Sequence, residues 1–294
     1  MPQPSNFRLS LLQLLAGATM ISFSPVFVVL ADVGPTMAGF YRNLFGGAFL
    51  LAVVLVRGGP LWAGSRPFWL AAACGVLFAT DLTFWHRSIN YVGPGLATII
   101  GNFQVFFLAA FGVFVFREKI DWRYAVSVPL AILGLFLIVG IDWERLASSY
   151  KLGVFFGLVT ALTYAAFLLI LQHAQSRTPR LGATANMCII SLVAALVMGV
   201  EGALQGEGFG IPNAQSWSSL IAYGVVCQGL GWITISKALV NVEASRAGLI
   251  LLLQPTLAFI WDVLFFDRPT GMLDVVGAGI ALVAIYLGGG RERK

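Results

Sequence analysis

LFATDLTFWHRSINYVGPGLATIIGNFQVFFLAAFGVFVFREK, residues Leu77 to Lys119, is an apolar stretch broken by polar and ionisable groups. Asp81, Trp85 and His86 fall near the end of one apolar run, and Asn102 and Gln104 lie inside the next. Such groups are costly to bury in hydrocarbon and mark functional paths through membranes. The stretch also recurs in the other half of the chain. At an offset of 150, Arg87-Ser88-Ile89 falls on Lys237-Ala238-Leu239. In the same register Ala97, Ile99, Ile100 and Gln104 fall on Ala247, Leu249, Ile250 and Gln254. After the loss of one residue, Phe116-Arg117-Glu118-Lys119 meets Phe265-Phe266-Asp267-Arg268. A repeat with polar residues inside both copies is the signature of a transporter built from two halves.

Composition agrees with a membrane setting. Of 294 residues 59% are hydrophobic and 11% charged, and the mean hydropathy is +0.87. A soluble domain of this length needs more polar material to cover its surface. The chain is therefore read as all-α and polytopic. Its Lys and Arg are scattered between apolar runs rather than clustered on one face, which argues against a nucleic-acid partner. Cys74, Cys188 and Cys227 lie inside apolar runs at irregular spacing, so neither a disulfide framework nor a metal set is implied. No cofactor is implied either.

A span of the hydrocarbon core takes about 20 apolar residues. On that basis ten spans are expected, at 9–30, 36–56, 67–86, 92–116, 122–140, 152–172, 182–201, 216–237, 244–266 and 271–289. The first begins after a basic residue, like a signal peptide. It runs on through Leu30 without a small-residue cleavage site and is read as a retained helix. With both termini cytoplasmic, Arg42, Arg87, Arg145, Lys151 and Arg268 are the outer cations. The other thirteen of the eighteen Lys and Arg are inner, the bias that sets orientation. Two halves of five spans, 9–140 and 152–289, then enter the membrane from opposite sides, so the repeat is inverted and a site is expected between the halves near the midplane.

Depth sorts the candidate residues. Arg42 lies some seven residues into the second span, roughly 10 Å at 1.5 Å per residue, and Asp81 reaches a similar depth in the third. The two can form an ion pair, direct or through water, which either ties two helices together or leaves Asp81 to exchange a proton. His86 can titrate in the working range but lies close to the outer end of its span. Asp262, about 6 Å deep in the ninth span, is a second proton candidate. Gln104 and Gln254 occupy corresponding positions in the two halves. As amides in hydrocarbon they need partners, either as interhelical glue or as the lining of a substrate cavity. Pro255 frees a carbonyl one turn back, and Gln228 adds to the polar inventory. Tyr41, Phe84, Trp85, Tyr164 and Trp232 lie on the polar-bearing spans and can wall an apolar or aromatic substrate with cation–π contacts to an ammonium.

Several classes are excluded by what is missing. There is no phosphate-cradling GxxxxGK[ST], no HExxH or GxSxG, and no repeated carbonyl turn of a channel filter. A membrane-embedded enzyme or lipid flippase using the same cavity remains the competing class, and a receptor or scaffold a third.

The two five-helix halves, the fourth spans closing on Glu118-Lys119 and Asp267-Arg268-Pro269, and the second-span Phe40-Tyr41-Arg42 resemble the EamA-type members of the drug/metabolite transporter superfamily. Within it the chain looks most like YddG-type exporters of aromatic and other amino acids. The resemblance implies an inner-membrane exporter of amino acids and other metabolites working by alternating access; whether it is a monomer or a homodimer is left open. The chain departs from the family at Met20-Ile21-Ser22-Phe23-Ser24-Pro25, where a Trp-Gly followed by Asn is common. It departs again at Thr160-Ala161-Leu162-Thr163-Tyr164, which lacks a common tryptophan. Neither the substrate nor the coupling ion follows from the resemblance.

Overall fold

The computed structural model describes residues 4–139, 150–177, 181–267 and 269–289, with side chains excepted at 4–6, 93–96, 139, 177 and 289. The loop from Asp142 to Arg145 and the cations Arg180, Arg268, Arg291, Arg293 and Lys294 lie outside these residues. All described secondary structure is helical. Eight segments are long and apolar enough to cross a membrane, and two shorter apolar helices, Trp122–Ile138 and Met272–Gly288, make ten. These coincide with the ten spans expected from apolar run length.

In chain order the helices are α1 (Pro4–Ser22), α2 (Ser24–Ala31), α3 (Pro35–Val56), α4 (Ser65–Gly101), α5 (Gln104–Phe114), α6 (Trp122–Val139) and α7 (Tyr150–Arg177). They continue with α8 (Ala183–Gln205), α9 (Ala214–Ala222), a π-helical segment (Tyr223–Gly231), α10 (Trp232–Ala238), α11 (Ala244–Leu251), α12 (Leu253–Phe266) and α13 (Met272–Gly289). Helix α4 carries two spans. Trp85 Nε1 donates to Thr98 Oγ1 at 3.3 Å, whereas thirteen residues of straight helix would separate them by about 20 Å. The chain therefore turns back on itself between these residues, in the part of the sequence holding Gly93-Pro94-Gly95.

Four spans are internally irregular. The first breaks at Phe23, with Pro25 at the start of α2. The fourth breaks at Asn102-Phe103, where the Asn102 amide donates to Ile99 O at 3.1 Å and the Phe103 amide to Ile100 O at 3.0 Å. The ninth breaks at Leu252, whose amide donates to Leu249 O at 3.1 Å. The two latter breaks fall at the matched positions of the sequence repeat and place Gln104 and Gln254 just beyond them. Tight i→i−3 turns inside helices often mark hinges, and broken helices are how transporter folds expose backbone to a central site. The eighth span is irregular in the opposite sense, being widened by its π segment.

Small residues bring these helices close. A β-carbon on Gly134 would lie 2.6 Å from Gly277 O, and one on Gly277 equally 2.6 Å from Gly134 O, so α6 and α13 touch backbone to backbone. Gly153 and Gly157 face Tyr91-Val92 and Ile100 respectively, seating α7 against both limbs of α4. Gly46 of α3 meets Gly224 O and Gln228 of the π segment. Such contacts supply the packing that lipid-exposed helices cannot gain from the hydrophobic effect. The three cysteines are free and buried, as small packing residues.

Candidate functional site

Arg42 is the centre of the buried polar network. On the third turn of α3 it is only 6% exposed. Its Nε donates to Gln228 Oε1 at 2.9 Å, and Nη1 donates to the Tyr223 hydroxyl at 3.2 Å. Gln228 is oriented in turn by donating from Nε2 to Ser191 Oγ at 3.0 Å. The guanidinium also lies 5.4 Å from the Phe78 ring centroid and 5.0 Å from that of Tyr223. Tyr223 and Gln228 are five residues apart, a spacing that an α-helix sends to different faces. The i→i+5 pattern of a π-helix brings them round together, which is what the widened segment does for Arg42.

Of the two forms of Arg42–Asp81 pair that matched depth allows, direct or through water, the direct one within 4 Å is absent. No carboxylate among the described residues lies within 4 Å of the Arg42 nitrogens, while the described ion pairs belong to Arg87 and Arg246. The π segment explains the difference, because it presents two neutral acceptors to the guanidinium first. Asp81 is nevertheless close enough for the two charges to feel one another, and it too is buried, 7% exposed. Its backbone carbonyl accepts from Thr160 Oγ1 at 3.3 Å, fixing α4 to α7.

Tyr164 joins these charges to the second half of the chain. Its hydroxyl lies within the electrostatic reach of both Asp81 and Arg42 and near Gln254. The ring belongs to an aromatic wall. Trp232 stands edge-on to Phe167 at 5.0 Å, to Phe78 at 5.5 Å and to Tyr164 at 6.2 Å. Trp232 is buried, and its Nε1 has no hydrogen-bond partner among the described residues. Gln254 Nε2 is likewise unpartnered, as are both polar atoms of the fully buried Gln104. Buried polar groups without partners are uncommon in folded proteins, and here three such donors lie on α5, α10 and α12.

The other candidates are placed elsewhere. Tyr41 points toward the α8–α9 connection, where its hydroxyl donates to Phe209 O and its ring stacks on Phe45 at 5.5 Å. Phe84 packs on Phe156 at 5.6 Å and lies under Arg87, outside the Arg42 network. Trp85 is held in the return of α4 by its bond to Thr98. His86 packs beside Trp85 at 5.2 Å, with Nδ1 buried and unpartnered. Asp262 lies on α12, and its carbonyl accepts from the Asp267 amide that caps the helix. Phe78, Phe167, Ser191 and Tyr223 enter the site without having been singled out. Clustered glycines at 224, 229 and 231 were the available signal for an irregular eighth span.

The model of the EamA-like transporter family matches this chain twice, over residues 8–140 and 151–288. The chain belongs to the EamA-like transporter family. It is a multi-pass membrane protein. A chloroplastic WAT1-related protein of Arabidopsis thaliana is 23% identical over 282 residues, covering 92% of this chain and 66% of the relative, so the chain spans just under two thirds of that protein. The uncharacterized inner membrane transporter YhbE of Escherichia coli K12 is 25% identical, covering 92% of this chain and 85% of the relative. The uncharacterized transporter YcbK of Bacillus subtilis is 22% identical, covering 83% and 80%. A solved crystal structure superposes with a TM-score of 0.79 at 15% identity over 98% of each chain, a likeness of fold. The family and these relatives favour a transporter over an enzyme.

Proposed function

We propose that this EamA-family chain is a secondary exporter of small amphipathic metabolites, namely amino acids with aromatic or other neutral side chains, moved across a bacterial inner membrane by alternating access. The observation that carries the reading is the arrangement of Arg42 and Asp81. A guanidinium and a carboxyl group are buried on the packed helices α3 and α4, beside aromatic rings, and are not paired with each other within 4 Å. A zwitterion matches that pattern. Its carboxylate suits the planar fork of a guanidinium, and its ammonium suits Asp81 with cation–π support from the neighbouring rings. Tyr164, Trp232 and Gln254 then contact the side chain, and Gln104 contributes its free amide when the fourth span bends at its break.

In this reading both termini are cytoplasmic and the halves 9–140 and 152–289 are inverted repeats that rock about the Arg42–Asp81 layer. Asp81 is the titrating group, with His86 as the second choice, because protonation of a carboxylate releases an ammonium it holds. Purified protein in proteoliposomes, tested by counterflow with a panel of amino acids, nucleobases and drugs, checks the proposal. Exchange of neutral amino acids that is lost in Gln254→Leu supports it. Flux restricted to nucleobases or drugs overturns the substrate class, and release of a chemically altered product overturns the transporter reading in favour of an enzyme.

A further inference from the structure

Helix α4 has a second functional-looking face. Asp81 and Ser88 turn toward α7, where the Ser88 hydroxyl donates to Gly153 O at 2.8 Å. Thr80, Thr83 and Arg87, spaced by three and four residues, instead form a stripe toward α8. Between this stripe and α8 lies a cleft of about 410 Å³. Its apolar side is formed by Val197, Val200 and Leu204. Val200 is 52% and Leu204 83% exposed, so in a multi-pass membrane protein this side opens to the bilayer rather than to the centre of the bundle.

The polar end of the cleft is built on Glu201. This carboxylate accepts from the Thr83 hydroxyl and from Gln205 Nε2 at 3.0 Å, and it lies 3.7 Å from Arg87 Nη2. Its side chain is only 16% exposed, whereas that of Arg87 is 49% exposed and rests over the Phe84 ring. A guanidinium offers five N–H donors, and a single loose contact at 3.7 Å leaves most of them free. Glu201 is four residues from the end of α8, roughly 6 Å along the axis, which is headgroup depth. An acid and a base thus stand side by side at the interface, above an apolar slot.

We propose that this cleft is a binding site for one phospholipid with an ethanolamine headgroup, in the outer leaflet when both termini are cytoplasmic. Arg87 takes the phosphodiester, Glu201 takes the ammonium, and an acyl chain lies along Val197, Val200 and Leu204. The chemistry selects among headgroups. A choline headgroup has no N–H to give Glu201, and a glycerol headgroup brings a second hydroxyl but no cation, leaving the phosphate beside an uncompensated carboxylate. The apolar slot selects a lipid over a free phosphoethanolamine.

The test uses the full chain, purified in mild detergent and equilibrated with equal parts of phosphatidylethanolamine, phosphatidylcholine and phosphatidylglycerol, with retained lipids counted by native mass spectrometry. The expected result is retention of one phosphatidylethanolamine about fivefold over either competitor, the size of an exposed charge-pair preference. Arg87→Gln and Glu201→Gln should each abolish the headgroup preference, and Val200→Trp, which fills the slot, should abolish retention of all three lipids. Arg87 is half exposed and its substitution leaves the Thr83–Glu201 bond in place, so a folding failure of Glu201→Gln alone does not spoil the test. Equal retention of the three headgroups by the wild type overturns the proposal. So does preference for phosphatidylglycerol, or an unchanged preference in Arg87→Gln.

Discussion

Replacing Gln104 by leucine should make the protein more stable and less active. Gln104 begins α5 immediately after the break in the fourth span, has no exposed surface, and finds no hydrogen-bond partner for either Nε2 or Oε1 among the described residues. A buried polar group left unsatisfied costs about 1–3 kcal/mol. Within a bilayer the unfolded reference also finds partners, which shrinks such terms toward the low end. Leucine is of similar size and adds no polar atom, so the expected gain is about 1–2 kcal/mol. For a chain of this length that is a rise of roughly 2–6 °C in Tm, read by intrinsic fluorescence during thermal unfolding in detergent. If the amide serves the transported molecule in another conformation, counterflow in proteoliposomes should fall in the same variant. A fall in Tm of similar size would refute the reasoning, because it would mean that the amide is satisfied in the resting state. A higher Tm with unchanged flux would make Gln104 a packing residue.

Three further outcomes follow from contacts already described or adjacent to them. Glu118, between the fourth and fifth spans, accepts from the Ala244 amide at 3.2 Å and from Ser245 Oγ at 2.6 Å, holding the start of α11. Glu118→Ala should cost about 1–2 kcal/mol, the range of a lost N-terminal cap, measured as a lowered Tm that Glu118→Gln partly restores. A β-carbon at Gly46 would lie 2.6 Å from Gln228 Cβ and 2.9 Å from Gly224 O, so Gly46→Val should force α3 from the π segment. Its expected cost is about 1–3 kcal/mol, together with loss of flux through the displaced Arg42–Gln228 bond, and a variant with wild-type Tm and transport would contradict it. Tyr41→Phe removes only the bond to the Phe209 carbonyl and keeps the ring stack on Phe45, so it should cost about 1 kcal/mol and leave counterflow unchanged.

The spans were legible because a bilayer imposes one length on every apolar run. The repeat at 150 residues matched Gln104 with Gln254, but the helix breaks just ahead of both appear only in the structure. Arg42 was recognisable from its depth, but its partners were not. Reading the eighth span at 3.6 residues per turn separates Tyr223 from Gln228, and only the π widening brings both to the guanidinium. Tyr41 and Phe84 show a second limit. In a bilayer both the lipid-facing and the bundle-facing sides of a helix are apolar, so aromatic content does not tell which way a ring points. For Tyr41 the tertiary contact with Phe209, 168 residues away, settled the direction.

The claim at the centre is that Arg42 and Asp81 hold the two ends of one zwitterion. Its most direct measurement is competition in counterflow of labelled phenylalanine by three unlabelled compounds: phenylalanine itself, phenethylamine, which lacks the carboxylate, and 3-phenylpropanoate, which lacks the ammonium. The account predicts that the wild type is inhibited best by phenylalanine, that Arg42→Gln no longer distinguishes phenylalanine from phenethylamine, and that Asp81→Asn no longer distinguishes it from 3-phenylpropanoate. Retention of the full wild-type preference order in both variants would contradict it.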